Sequence, residues 1–200
     1  MAVRANSADE RRRQILDAAV RAFARRGYEA CRVGDVASEA GVAYGLVYHY
    51  FHSKEELLET IFRETWTQML ATIGEVEELG EPAPEQLRKV VAIVLRTWNR
   101  NPDLVRVLVR EVTRTPHFES EIRELDQAFA ALERIVRRGQ ERGEFRSELD
   151  PRVAAWSLYG ALEELLTGWV MGQLPGREED VARAERALVS LFVEGLRTTD

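Results

Sequence analysis

Tyr44, Tyr48, His49 and Tyr50 crowd a nearly uncharged segment of about two helical turns. Phenol hydroxyls and an imidazole can hydrogen-bond phosphate oxygens, and a tyrosine edge can reach bases or thymine methyls in a major groove. Some of these aromatics must be core: Phe51 is expected to be buried, together with one tyrosine. His49 and His52 have a spacing that could suit a metal, but no cysteine or third histidine lies nearby, so no metal is expected.

The residues just before these tyrosines set up their presentation. Two short helices crossing steeply need a small residue where they approach, a left-handed turn where the first one stops, and an aliphatic plug in the angle. Ala37, Gly41 four residues later, and Val42 with Val47 supply these in order. That spacing is a steric requirement of a helix-turn-helix.

The charge agrees once it is divided. The chain has 200 residues, 45% hydrophobic and 31% charged, with a net charge of −6. Taken whole, this composition supports a buried core and argues against a protein coated in nucleic acid or anionic membrane. Residues 1–54, however, carry nine basic and six acidic side chains, a net +3, which leaves −9 for residues 55–200. A basic head on an acidic body is an electrostatic footprint for a polyanion at one end. The single cysteine, Cys31, excludes an internal disulfide and a cysteine zinc cage. There is no run of about 18 apolar residues and no secretory core, so a cytoplasmic protein with no membrane partner is expected.

Helical periodicity runs almost throughout, with no alternating strand pattern. Ile15, Ala18, Ala19, Ala22 and Phe23 make one stripe ending at Gly27. Ser53 with Glu56 signals a capping box opening a helix through Leu57, Ile61, Trp66 and Ile73. Gly80 to Pro84 break that helix, and a central helix follows to Trp98. Asn101-Pro102 and Asp150-Pro151 are each an N-cap followed by an N1 proline. Between them Phe118, Ile122, Leu125, Phe129, Leu132 and Val136 step along one seam ending near Gly143, and a last helix carries Val181, Leu188 and Leu191. The expected fold is all-α, about nine helices: a three-helix helix-turn-helix head over 1–54 and a ligand-binding and dimerisation body over 55–200.

Residues 11–62 resemble the DNA-binding head of the TetR family of bacterial repressors, through Ile15-Leu-Asp-Ala-Ala, Phe23, Gly27-Tyr28, Val36-Ala37, Ala40-Gly41-Val42 and Gly45-Leu-Val-Tyr48-His-Tyr50-Phe51-His-Ser53-Lys54-Glu55. The resemblance implies that Tyr44 to Tyr50 is a recognition helix, with Tyr48 and Tyr50 on backbone phosphates and Tyr44, Gly45 and His49 near base edges. Lys54 matches the family's phosphate-binding lysine. Cys31, Arg32, Ala43 and Leu46 depart from the family, which has hydroxyl residues there. Ala43 removes a helix cap, Arg32 could supply a charge-assisted phosphate contact, and Leu46 could touch a thymine methyl.

In the body, the helix from Pro151 to Met171 has a large apolar side (Trp156, Tyr159, Leu162, Leu166, Trp169) and a small one (Ser157, Gly160, Ala161, Glu164, Gly168). Two apolar sides need two partners. The family's four-helix dimer interface is similar, and implies a homodimer reading a palindromic DNA operator whose half-sites lie about 34–36 Å apart. The candidate lining of an effector pocket is Phe62, Trp66, Met69, Trp98, Phe129, Trp156, Tyr159 and Trp169, with Arg106, Arg110 and Glu163 as candidate polar contacts. Surface placement of the charged residues is the competing reading.

Gly143 to Pro151, Leu162-Glu163-Glu164 and Gly168-Trp169-Val170-Met171 look like the bodies of TetR-type regulators of fatty-acid degradation. That implies a repressor released by a hydrophobic effector, with long-chain acyl-CoA as the lead. A regulator of drug efflux or other metabolism with a different effector is the alternative. No nucleophile elbow, phosphate loop or paired metal-ligand motif is present, and Cys31, His117 and the glutamates form no constellation, so neither an enzyme nor a cofactor is expected. Effector binding is expected to tilt the helix from Leu57 to Ile73, which joins pocket to head.

Overall fold

Caps and glycines divide the chain into helices. The computed structural model describes residues 2–112 and 123–197. His117, Phe118, Ile122 and the side chain of Leu125 lie outside the described residues. Among the described residues there are nine α-helices: α1 Ala2–Arg26, α2 Val33–Ala40, α3 Tyr44–Tyr50, α4 Lys54–Glu78, α5 Ala83–Arg100, α6 Pro102–Val112, α7 Arg123–Glu141, α8 Pro151–Val170 and α9 Glu178–Leu188. A π-helical segment, Val189–Glu194, continues α9.

The starts follow the local chemistry. Ser53 Oγ accepts from the Glu56 amide at 3.0 Å, whereas the Glu56 carboxylate reaches past Ser53 to the His52 amide at 2.6 Å. Asn101 Oδ1 accepts from the Leu104 amide at 3.0 Å, and Asp150 Oδ1 from the Arg152 and Val153 amides. Each cap satisfies amides that have no partner within the helix.

The helices enclose two apolar cores. The first joins α1, α2 and α3 with the start of α4: Phe23, Val36, Val47 and Phe51 are buried with Leu57, Leu58, Ile61 and Phe62. Gly41 ends α2 at φ 64°, a left-handed conformation open to glycine, and Ala37 and Val47 fill the angle that follows. Ion pairs brace the outside. Glu39 takes both Arg21 and Arg25, Asp35 takes Arg26, and Glu64 of α4 takes Arg12.

The second core is built around α5, which touches α4, α6, α7, α8, α9 and the π-helical segment. At the far end from α3, α4 is tied to α7 by Glu77, which pairs with Arg134 at 2.8 Å and Arg138 at 2.6 Å. One face of α8 buries Leu158, Leu162 and Trp169, while Val153, Trp156 and Met171 stand exposed. Trp156 thus departs from the large apolar side expected for it. Six residues from Leu162 is about 120° around the helix, so the two point to different sides. Gly168 also departs from the open small side, because the following turn lays Leu174 over it, 2.7 Å from where a Cβ would stand.

Candidate DNA interface and effector cavity

Helix α3 buries Val47, half-buries Leu46 and Tyr50, and exposes Tyr44, Gly45, Tyr48 and His49. The seven-residue helix therefore has one anchored edge and a free aromatic face. Tyr44 and Tyr48 meet edge to face, ring centroids 5.1 Å apart, and the Tyr44 hydroxyl donates to that of Tyr48 at 3.2 Å. The contact pushes the Tyr48 hydroxyl upward, so it stays protonated and can donate its own hydrogen outward. Ala43 occupies the N-cap without a side-chain hydrogen bond, leaving the first amides of α3 uncapped.

Beside this face lies a groove lined by Glu29, Cys31, Arg32, Val33, Gly34, Tyr44, Tyr48 and Lys54. Arg32 and Lys54 contribute positive charge and Tyr48 a hydroxyl, the donor set a phosphate needs. The Lys54 ammonium donates to the carbonyls of Tyr28 (3.0 Å) and Glu29 (3.4 Å) and sits 4.1 Å from the Tyr28 ring centroid. The Cys31 thiol is buried, and burial pushes it up, so it is held as a thiol. His52 turns away from His49 to Glu56, 2.9 Å off, and among the described residues no metal-binding cluster forms.

The body holds a cavity of about 130 Å³ between five helices. Its wall comes from Thr65, Trp66, Met69 and Ile73 of α4, Val90, Val94 and Thr97 of α5, Val105, Leu108 and Val109 of α6, Ala128 and Leu132 of α7, and Tyr159, Leu162, Glu163 and Leu166 of α8. The hydroxyls of Thr65 and Thr97 donate to carbonyls of their own helices, Ile61 and Ile93. That leaves Tyr159 and Glu163, four residues apart on α8, as the ionisable groups of an otherwise apolar wall.

Of the pocket residues expected from sequence, Trp66, Met69, Tyr159 and Glu163 come together on this wall. The other seven sit elsewhere, each for a local reason. Phe62 is sealed into the head core. The Trp98 indole donates to the Gly176 carbonyl at 2.8 Å and packs against Trp169. Arg106 pairs with Asp103 at 2.7 Å and lies over the Trp98 ring. Arg110 is exposed and reaches the Ala24 carbonyl. Phe129 stacks on exposed Trp156, centroids 4.2 Å apart, and meets the Tyr159 ring at 4.5 Å.

Two helices join cavity to head. Helix α4 runs from Lys54 through the head core to the wall at Thr65 and beyond. Sequence reasoning missed the second, α6. Val105, Leu108 and Val109 face the cavity, while Val107 is buried in the head core. The alternation of valines and leucines along α6 gives no clue that its two apolar sides have different partners.

Residues 15–61 match the family of bacterial regulatory proteins, tetR family, and residues 80–194 match the tetracyclin repressor-like C-terminal domain. The chain is similar to the Fatty acid metabolism regulator protein of Bacillus subtilis (strain 168), 29% identical over 92% of this chain and 94% of that one. Among solved structures, the fatty acid degradation regulator FadR from Bacillus halodurans superposes with a TM-score of 0.81 at 30% identity, over 92% of this chain and 98% of the other. FadR from Bacillus subtilis, solved in complex with stearoyl-CoA, matches with the same TM-score at 29% identity, again over 92% and 98%. A helix-turn-helix head with an exposed aromatic helix, a body built around an apolar cavity, and family matches to both halves place this chain in the TetR family of transcriptional regulators.

Proposed function

We propose that the protein is a transcriptional repressor that binds a palindromic operator as a homodimer in the cytoplasm and is released by a long-chain acyl-CoA. The observation that carries this reading is the cavity, because its apolar wall is made in part by α4 and α6, which both also pack into the head core. A ligand that separates them must move the head, provided it binds the DNA-incompetent arrangement more tightly than the competent one. The stearoyl-CoA bound by the Bacillus subtilis relative supports a fatty acyl chain as occupant.

On DNA, Tyr44, Gly45, Leu46 and His49 face the bases, while Arg32, Tyr48, Tyr50 and Lys54 hold phosphates, with the open amides after Ala43 beside them. Exposed Val153 and Trp156 of α8, Met171 just after it and Leu191 of the π-helical segment, around Gly160, form the face that a second copy covers. Pairing through it sets the spacing of the two recognition helices. The division at residues 54 and 55 follows function; the head's apolar core continues into α4 as far as Phe62.

Nuclease footprinting on the protein's own promoter region tests the DNA half. Protection should span two symmetric half-sites, one turn of DNA or a multiple apart. Lys54→Ala should weaken binding to every sequence and flatten the salt dependence by about one unit of slope. An unprotected promoter with unchanged Lys54→Ala binding would remove the repressor reading.

A further inference from the structure

We infer that Tyr28 is the positioning residue for the phosphate-binding lysine: its ring and carbonyl hold the Lys54 ammonium at the groove shared with Arg32 and Tyr48. The inference rests on the reading of Lys54 as a phosphate contact. Lys54 is one of only two lysines in the chain, and a lysine is a point charge on a flexible stem. Left alone, it would spend most of its time away from the groove. The structure removes that freedom. The ammonium lies 4.1 Å from the Tyr28 ring centroid and donates to the Tyr28 and Glu29 carbonyls at 3.0 and 3.4 Å. Those contacts use two of its three hydrogens and leave the third for a phosphate.

The ring that does this is itself fixed. Phe23 of α1 meets it edge-on, centroids 5.3 Å apart, and the nearby carboxylate of Glu55, the residue after Lys54, disfavours ionisation of its hydroxyl. Tyr28 is thus braced by Phe23 while its face receives the cation. Burial, with the negative charges of Glu55, Glu29 and Glu111, pushes the phenol well up, so it remains a neutral donor. Glu111 belongs to α6, which places this clamp at the junction of head and body.

The test is a double-variant cycle on the full chain. Binding to a labelled mixed-sequence DNA duplex is read by anisotropy over a salt series, because a phosphate contact acts on every sequence. Tyr28→Phe keeps the ring and should bind like the unaltered protein. Tyr28→Leu should weaken binding about three- to tenfold, the factor set by re-ordering one freed side chain. Combined with Lys54→Ala, it should add nothing to the loss seen for Lys54→Ala alone. Tyr28→Leu binding at full strength, or its loss adding in full to that of Lys54→Ala, would overturn the positioning role, the second outcome marking a purely structural residue. Full binding by Lys54→Ala would overturn the phosphate reading, and the positioning role with it. Thermal melts of all five proteins show whether any loss follows unfolding.

Discussion

Val94→Trp should weaken stearoyl-CoA binding at least about a hundredfold, close to 3 kcal/mol, and leave DNA binding intact. Val94 faces the cavity from α5 and is half-buried, so an indole there extends into the empty space. The space is small, about 130 Å³, and an acyl chain cannot share it with a new ring without overlap, a situation close-packed interiors do not tolerate. The head core contains no residue of α5, so the recognition helix is undisturbed. The expected phenotype is a repressor that no acyl-CoA releases, read by calorimetry with the ligand and anisotropy with promoter DNA. Unchanged ligand affinity would place the effector outside this cavity.

Gly139→Ala should destabilise the body by about 2 kcal/mol, lowering Tm by roughly 4–8 °C for a chain of this size. Two effects oppose each other. Alanine in a helix interior is favoured over glycine by up to about 1 kcal/mol. Against that, a Cβ at position 139 would stand 2.3 Å from Phe145 Cδ2 and 2.8 Å from Ala83 Cβ. Both neighbours are buried, so relief requires α7 to move away both from the start of α5 and from the following turn that carries Phe145. Overpacking of that kind costs about 3 kcal/mol, and the clash wins. Gly74→Ala reverses the sign. Nothing lies within 4 Å of its Cβ position, so only the helix term remains, and Tm should rise.

The parts of the molecule that depend on neighbouring residues in sequence could be read from the sequence. Ser53, Asn101 and Asp150 start helices because a cap needs only the next three amides, and Gly41 turns where only a few residues decide. The recognition helix was legible for the same reason, since Ala37, Gly41 and Val47 lie within eleven residues. The cavity was not. Large aromatic side chains were its expected lining, but Trp98 and Trp169 spend their bulk on each other, and the Trp98 indole also needs the Gly176 carbonyl. The wall is mostly Val, Leu and Ile, which periodicity cannot distinguish from ordinary core. The arginines proved local as well: Arg106 finds Asp103 one turn away, and Arg110 the end of α1. Even the basic head divides. Arg12, Arg21, Arg25 and Arg26 are engaged in ion pairs with Glu64, Glu39 and Asp35, and the basic residues lining the groove are Arg32 and Lys54.

On the proposed reading an apolar occupant would enter between α4 and α6; because α4 is held at its far end by Glu77 on Arg134 and Arg138, its movement would be passed toward Lys54 and α3. Because binding linkage is reciprocal, a ligand that lowers DNA affinity must itself bind less tightly to the DNA complex, by the same factor. The most direct measurement is a titration of the protein–promoter complex with stearoyl-CoA, followed by anisotropy of the labelled DNA while ligand binding is measured in parallel with and without DNA. Release of the DNA is expected as the ligand saturates, with equal factors in the two directions. Saturation of the protein by stearoyl-CoA with the DNA still bound at unchanged affinity would contradict it.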